Sequence, residues 1–87
     1  MEENKAPMDA ELRAILAENV ARIRKKQNLS QEVLAAQAGF HRSYVSQIEQ
    51  RRKNISLESL AKLAVALDVQ AHLLLKRVSA PTNAPED

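Results

Sequence analysis

The sequence has 87 residues and no cysteine, and 45% of its residues are hydrophobic. This length allows one domain, near the lower end of what folds without disulfides or metal ions, and the lack of cysteine excludes a disulfide framework and a thiolate metal site. The first residues include Glu2 and Glu3 without an apolar run, and no apolar stretch is long enough to span a bilayer. We therefore expect a soluble, cytoplasmic protein that does not contact a membrane.

Charge is unevenly distributed along the chain. The formal net charge is +2, but residues 12–78 hold twelve Lys or Arg against five acidic residues, a balance of +7. Basic residues cluster at 22–26 and again at 51–53. A compact basic domain suits a polyanionic partner, whereas a solvated surface is the alternative interpretation of either cluster taken alone.

The first segment with helical periodicity follows a polar N-terminal end. Residues 1–8 contain a proline and no periodicity, so we expect them to be disordered. Asp9 can cap a helix that runs to about Gln27, and Asn28 suits a left-handed residue after it. The apolar stripe of this helix consists of Leu12, Leu16, Val20 and Ile23.

The stretch QEVLAAQAGFHRSYVSQIEQ predicts two short helices, at about 31–38 and 42–50, joined by a tight turn. Ala35 is small where the two helices should pass closest. Gly39 can take the positive φ angle that a sharp helix-to-helix corner requires. With the apolar pair Val45 and Ile48 three residues apart on the second helix, this pattern predicts a helix-turn-helix.

The outer face of the second helix in this motif is polar. Arginine and glutamine side chains can each form two hydrogen bonds with one base, and serine can form one. The side chains away from the apolar pair are those of Arg42, Ser43, Ser46, Gln47 and Gln50. Such a face is typical of a helix that reads DNA, although a polar helical face is also what simple solvation produces.

A basic loop leads into the last two predicted helices. Ser56 can cap a fourth helix that ends at about Leu67, and a short fifth helix is expected at about 71–77. Residues 79–87 contain two prolines and no core-forming residue, so we expect a disordered tail. The fourth helix has an apolar stripe made of Leu57, Leu60, Leu63, Ala64 and Leu67. The predicted fold is a compact all-α domain of five helices over 9–78, with the helix-turn-helix at its centre.

These features resemble the lambda repressor and Cro-like (XRE-type) helix-turn-helix family over roughly residues 12–77. The segments that carry the resemblance are IRKKQNLSQEVLAAQAG and FHRSYVSQIEQRRKNISLESLAKLAVALDV. HRSYVSQIE followed by RKNISLESL is also similar to the controller proteins of restriction–modification systems. The resemblance implies a sequence-specific transcriptional regulator that binds double-stranded DNA as a homodimer, with the helix at about 42–50 in the major groove.

The resemblance also implies roles for individual residues. Base contacts are expected from Arg42, Ser43 and Gln47, with Ser46 as an additional candidate. Contacts with DNA phosphates are expected from Ser30, Gln31, Tyr44, Lys53 and Asn54. Arg24 and Glu49 match a structural ion pair that joins the first helix to the third.

Two residues depart from the family pattern. Arg51 and Asp68 stand where the family usually has glycine after the third and fourth helices. If the backbone at Arg51 is left-handed, the residue carries a strain of about 1–2 kcal/mol. In return, it brings another cation close to a phosphate.

The predicted fifth helix suggests how the dimer forms. Leu74 can fold into the domain, but a helix of two turns cannot also turn Leu73, Leu75 and Val78 inward. We therefore expect the last three to form an exposed apolar patch that a second copy covers.

Other classes of function are less consistent with the sequence. His41 has no second ligand in a usable pattern, and the serines and histidines lack an orienting acid and an oxyanion-forming loop. No enzymatic activity, metal, cofactor or small-molecule ligand is therefore expected. The alternative hypothesis is an antitoxin-type protein-binding module that also binds DNA. Short, polar, proline-containing ends argue against it.

Overall fold

A computed structural model describes residues 8–78, and within this range the chain forms five helices and no strand. They are α1 (Met8–Lys26), α2 (Gln31–Ala38), α3 (Arg42–Glu49), α4 (Leu57–Leu67) and α5 (Ala71–Leu74). The prediction of an all-α, five-helix fold is confirmed. None of these helices is both long and apolar enough to cross a membrane.

The ends of the elements differ in places from the prediction. Met8, assigned to a disordered end, is the first residue of α1, while residues 1–7 and the predicted tail at 79–87 lie outside the described range. The fifth helix ends at Leu74, not at about residue 77. It ends early because the carbonyl groups of Leu74 and Lys76 both accept hydrogen bonds from a side chain of α1.

The helices pack around one aliphatic core. Helix α3 packs on both α1 and α2, α4 packs on α2, and α5 packs on α4 and α1. An isolated helix of eight residues has little stability in water. The two motif helices α2 and α3 therefore depend on packing against each other, against α4 and against α1. The buried apolar side chains are those of Leu16, Ala17, Val20, Leu34, Ala35, Ala38, Val45, Ile48, Leu60, Leu63, Ala64, Leu67 and Leu74.

Two leucines that were assigned to apolar stripes are not in this core. Leu12 is 37% exposed, and Leu57, the first residue of α4, is 83% exposed. Both line a solvent-open cavity of about 210 Å³ between the first turns of α1 and α4, so neither side chain is fully covered. The periodicity identified the correct faces of these helices but extended them too far toward the N-terminal ends.

Four helices end with a residue in the left-handed conformation. Positive φ angles occur at Asn28 (62°), Gly39 (81°), Arg51 (64°) and Asp68 (58°). After each helix the chain forms the paired hydrogen bonds of a Schellman motif; after α3 these run from Arg51 N–H to the Ile48 carbonyl and from Arg52 N–H to the Gln47 carbonyl. Arg51 and Asp68, which stand where the family usually has glycine, are thus both left-handed. Each carries backbone strain that glycine would not.

The core contains one polar side chain that no sequence pattern had indicated. Asn19 is 2% exposed and lies on the buried face of α1. Its amide nitrogen donates to the carbonyl oxygens of Leu74 and Lys76, each at 2.9 Å, and its oxygen accepts from Arg22 at 2.9 Å. Because a buried amide must be hydrogen-bonded to avoid a large desolvation cost, Asn19 fixes the path of the chain after α5.

The left-handed corner between α2 and α3 provides a test of backbone strain. A Cβ atom added at Gly39 would meet no heavy atom within 4 Å, so Gly39→Ala changes only the backbone preference. We expect this substitution to lower the free energy of unfolding by about 1–2 kcal/mol, as measured by urea denaturation.

The matched control for this prediction is Asp68→Gly, which makes the opposite change at another left-handed position. It should stabilise the protein by roughly 0.5–1 kcal/mol, because relief of strain exceeds the added flexibility of the unfolded chain. Equal stability of Gly39→Ala and the parent protein would contradict the interpretation.

Candidate nucleic-acid interface

Helix α3 turns a polar face away from the core. Val45 and Ile48 are fully buried and fix the rotation of the helix about its axis. On the other side, Arg42 and Ser43 are exposed, and Ser46 and Gln47 are half-buried. The four candidate base-contacting residues therefore lie on the part of the helix that the domain leaves accessible.

A chain of hydrogen bonds crosses the end of this face. Gln50 donates from Nε2 to the Ser46 hydroxyl oxygen at 2.9 Å, and Arg52 donates to Gln50 Oε1 at 3.2 Å. Ser46 keeps its own hydroxyl hydrogen, and so remains able to donate to a base. Arg52, which the sequence placed only in the basic cluster at 51–53, thereby joins the polar surface of α3.

An ion pair holds α3 against α1. Arg24 donates from Nε to Glu49 Oε2 at 2.7 Å and from Nη2 to Glu49 Oε1 at 3.0 Å, and both side chains are only about one-tenth exposed. The remaining arm of the guanidinium donates to the Leu29 carbonyl at 2.8 Å, in the turn before α2. Hydrogen bonding to Glu49 raises the pKa of Arg24 above its usual value and outweighs the effect of burial.

The start of α2 is connected to the same pair. Gln31 donates from Nε2 to Glu49 Oε1 at 3.0 Å, so the glutamate joins all three helices near the motif. Only one amide hydrogen of Gln31 is used in this bond. Ser30 caps α2 by accepting from the Val33 N–H at 3.0 Å, which leaves its hydroxyl hydrogen able to donate. Ser30 and Gln31, both candidate phosphate contacts, thus each retain a hydrogen-bond donor.

The loop after α3 carries the remaining candidate phosphate contacts. The Lys53 ammonium lies 5.4 Å from the centre of the Tyr44 ring, which packs against Phe40 with ring centres 4.5 Å apart. Arg51 reaches back to Glu18 at 3.2 Å, and both side chains of this pair are more than half exposed. Because Tyr44 is in the first turn of α3, its contact with Lys53 holds the loop beside that helix.

The side chain of Asn54 lies beside α1. Its Oδ1 accepts from Arg13 Nη1 at 2.6 Å, and the same nitrogen of Arg13 donates to Asp9 Oδ2 at 3.2 Å. The hydrogen bond from Arg13 is the main reason that the pKa of the Asp9 carboxyl is below its usual value. Sequence reasoning missed Arg13, because nothing in a local pattern connects residues 41 positions apart.

The apolar patch expected at the C-terminal helix is smaller than predicted. Leu73 is 37% exposed and Val78 is 52% exposed, and both line a groove between α1 and the residues that follow α5. Leu75 is half-buried and packs against the core, so it is less accessible than Leu73 and Val78, and its place in a dimer interface stays a prediction. The assignment rested on a helix of two turns; the observed α5 has four residues.

The histidines and carboxylates form no metal centre in the part of the chain that the structure describes. No group of three or more His, Asp or Glu side chains within residues 8–78 is placed to hold a metal ion. His41 precedes α3 as its N-cap residue, but its side chain makes no capping hydrogen bond.

Two short helices at a glycine corner, with a polar outer face and a basic loop beside it, define a helix-turn-helix DNA-binding protein. The helix-turn-helix family HTH_3 matches residues 20–74 of the sequence. The chain belongs to this XRE-type family of DNA-binding transcriptional regulators. The members it resembles are regulators rather than enzymes, as expected from the sequence.

Similar proteins come from several bacteria. The crystal structure of the hypothetical transcription factor NHTF from Neisseria is 42% identical, superposes with a TM-score of 0.76, and the match covers 88% of each chain. Control protein C.SmaI from Serratia marcescens is 43% identical over 77% of this chain and 80% of its own. The restriction-modification controller protein C.AhdI from Aeromonas hydrophila is 37% identical, with a TM-score of 0.69 over 71% of this chain and 94% of that one.

The buried ion pair should be strongly coupled. We expect Arg24→Ala or Glu49→Ala alone to lower the free energy of unfolding by about 3–5 kcal/mol, because each strands a largely buried charge. The double substitution should cost less than the sum of the two single ones. Urea denaturation of the four proteins measures this coupling.

Arg51 and Glu18 provide the control, because they form an exposed pair in the same protein. Their cycle should give a coupling energy of only about 0–1 kcal/mol. Additive losses for Arg24 and Glu49 would show that their contact contributes nothing to stability.

Proposed function

We propose that this protein binds a specific DNA sequence as a homodimer, with α3 of each protomer in the major groove. The observation that carries the proposal is the accessible polar face of α3, held by the buried Arg24–Glu49 pair and flanked by the loop with Arg51 and Lys53. The relatives of this chain include a control protein and a transcriptional regulator, which favours this hypothesis over an antitoxin-type role.

The division of roles within the interface follows from side-chain chemistry. Arg42 lies in the first turn of α3, the part of a recognition helix that enters the groove most deeply. Its guanidinium can donate two hydrogen bonds to one guanine. Gln47 lies five residues further along, about 7.5 Å along the helix axis and about 140° around it, so it can address a neighbouring base pair. Its amide best suits adenine.

The base-reading role of Arg42 can be measured directly. We expect Arg42→Ala to lose about 1–3 kcal/mol of binding free energy at the preferred site and to flatten discrimination at one base position. Site selection by sequencing identifies the preferred DNA, and fluorescence anisotropy gives the affinities. Equal losses on preferred and scrambled DNA would instead make Arg42 a phosphate contact.

Lys53 should contribute affinity without sequence preference. Lys53→Ala should weaken binding to all DNA sequences by a similar factor and reduce the slope of log K against log salt by about 0.9 for each phosphate that is no longer neutralised. Lys62→Ala is the control, because it removes a half-exposed lysine that pairs with Glu58 on α4. The control should leave the slope unchanged, whereas a changed sequence preference in Lys53→Ala would assign Lys53 to a base.

The dimer is proposed to form over the groove that contains Leu73 and Val78. Two exposed apolar side chains on a small basic domain are most simply covered by a twofold partner. Such a dimer presents its recognition helices about 34 Å apart to half-sites about one DNA turn apart.

Leu73→Glu should therefore shift the protein toward monomers in sedimentation velocity at tens of micromolar. Leu57→Glu is the matched control, since Leu57 is exposed on the other apolar groove of the domain. A monomeric parent protein that selects non-palindromic DNA would exclude the homodimer.

A further inference from the structure

Arg13 on α1 donates a hydrogen bond to the side chain of Asn54, the loop residue that follows Lys53. Arg13 Nη1 and Asn54 Oδ1 are 2.6 Å apart, although the two residues are 41 positions apart in sequence. Arg13 is about one-quarter exposed, and Asn54 is exposed. The contact therefore lies at the surface, where the loop between α3 and α4 passes the second turn of α1.

The chemistry of this contact fixes which way the asparagine amide faces. A guanidinium has hydrogen-bond donors only, so the atom of Asn54 that meets it must be the oxygen. The amide nitrogen of Asn54 then points away from the Arg13 guanidinium. Within residues 8–78 this nitrogen makes no hydrogen bond, and both of its N–H groups remain able to donate.

From this geometry we propose that Arg13 is a positioning residue for the DNA interface. It holds the Asn54 amide with its N–H groups outward, so that they donate to a DNA phosphate. The inference rests on the proposed function, because it needs Asn54 to contact DNA. It adds a residue from the first helix that neither the sequence pattern nor the helix-turn-helix itself includes.

The neighbouring contacts support a loop that is fixed before DNA arrives. Lys53 is held over the Tyr44 ring, Asn54 is held by Arg13, and Ile55 packs against the core. Three successive residues are thus anchored to α3, α1 and the interior. A side chain that is already oriented loses less conformational entropy on binding, and this gain is the physical benefit that Arg13 provides.

The proposal is tested by a double-mutant cycle measured on DNA affinity. Arg13→Ala should weaken binding about tenfold in the parent protein but no more than about twofold in an Asn54→Ala background, since the oriented amide is then already absent. The slope of log K against log salt should be the same for Arg13→Ala and the parent, because a neutral amide meets the phosphate.

Two control variants separate positioning from general attraction. Lys62→Ala removes a half-exposed cation that pairs with Glu58 on α4, and should cost little affinity. Arg13→Lys keeps the charge and a donor, and should recover part of the loss. Thermal denaturation should show that all variants remain folded, because both residues of the contact lie at the surface.

The outcomes distinguish failure of the inference from failure of the proposed function. Equal losses from Arg13→Ala in both backgrounds, with a slope reduced by about 0.9, would make Arg13 a direct phosphate contact and overturn the inference. An Asn54→Ala protein that binds like the parent would overturn it as well. A parent protein that binds no selected DNA would defeat the proposed function itself.

Discussion

The buried pair of Arg24 and Glu49 is the interaction on which the arrangement of the motif depends. Its two hydrogen bonds join α1 to α3, a third arm reaches the Leu29 carbonyl before α2, and Gln31 completes the connection to α2. Two helices of eight residues have little stability alone, so their relative angle must come from tertiary contacts. A largely buried charge pair with satisfied hydrogen bonds allows few alternative angles, and so presents the face of α3 in one orientation.

The helix ends show how this small domain combines tight packing with strained backbone. Four left-handed residues close the four longest helices, and only one of them is glycine. The strained residue Arg51 lies two positions after the last residue of α3, and its guanidinium forms an exposed ion pair with Glu18. Placing arginine there costs stability that glycine would not, and the phosphate contact predicted for Arg51 is a hypothesis for what arginine adds at this position.

The candidate interface combines two kinds of surface that depend on different parts of the fold. The face of α3 is set by the burial of Val45 and Ile48, while the loop after it is set by Tyr44 and by contacts with α1. A rigid helix suits base recognition, which needs accurate placement of donors. A loop anchored at successive residues suits phosphate contacts, which determine register on the duplex.

Much of the fold could be predicted from the sequence, because helical periodicity, capping serines and the glycine corner are local signals. They gave the five helices, the motif at residues 31–50 and the polar face of α3. What the sequence could not give were contacts between distant residues: the buried Asn19 that ends α5 early, the packing of Leu75 against the core, and the bond from Arg13 to Asn54. Each depends on which surfaces meet after the helices pack, and no local pattern of residues specifies that.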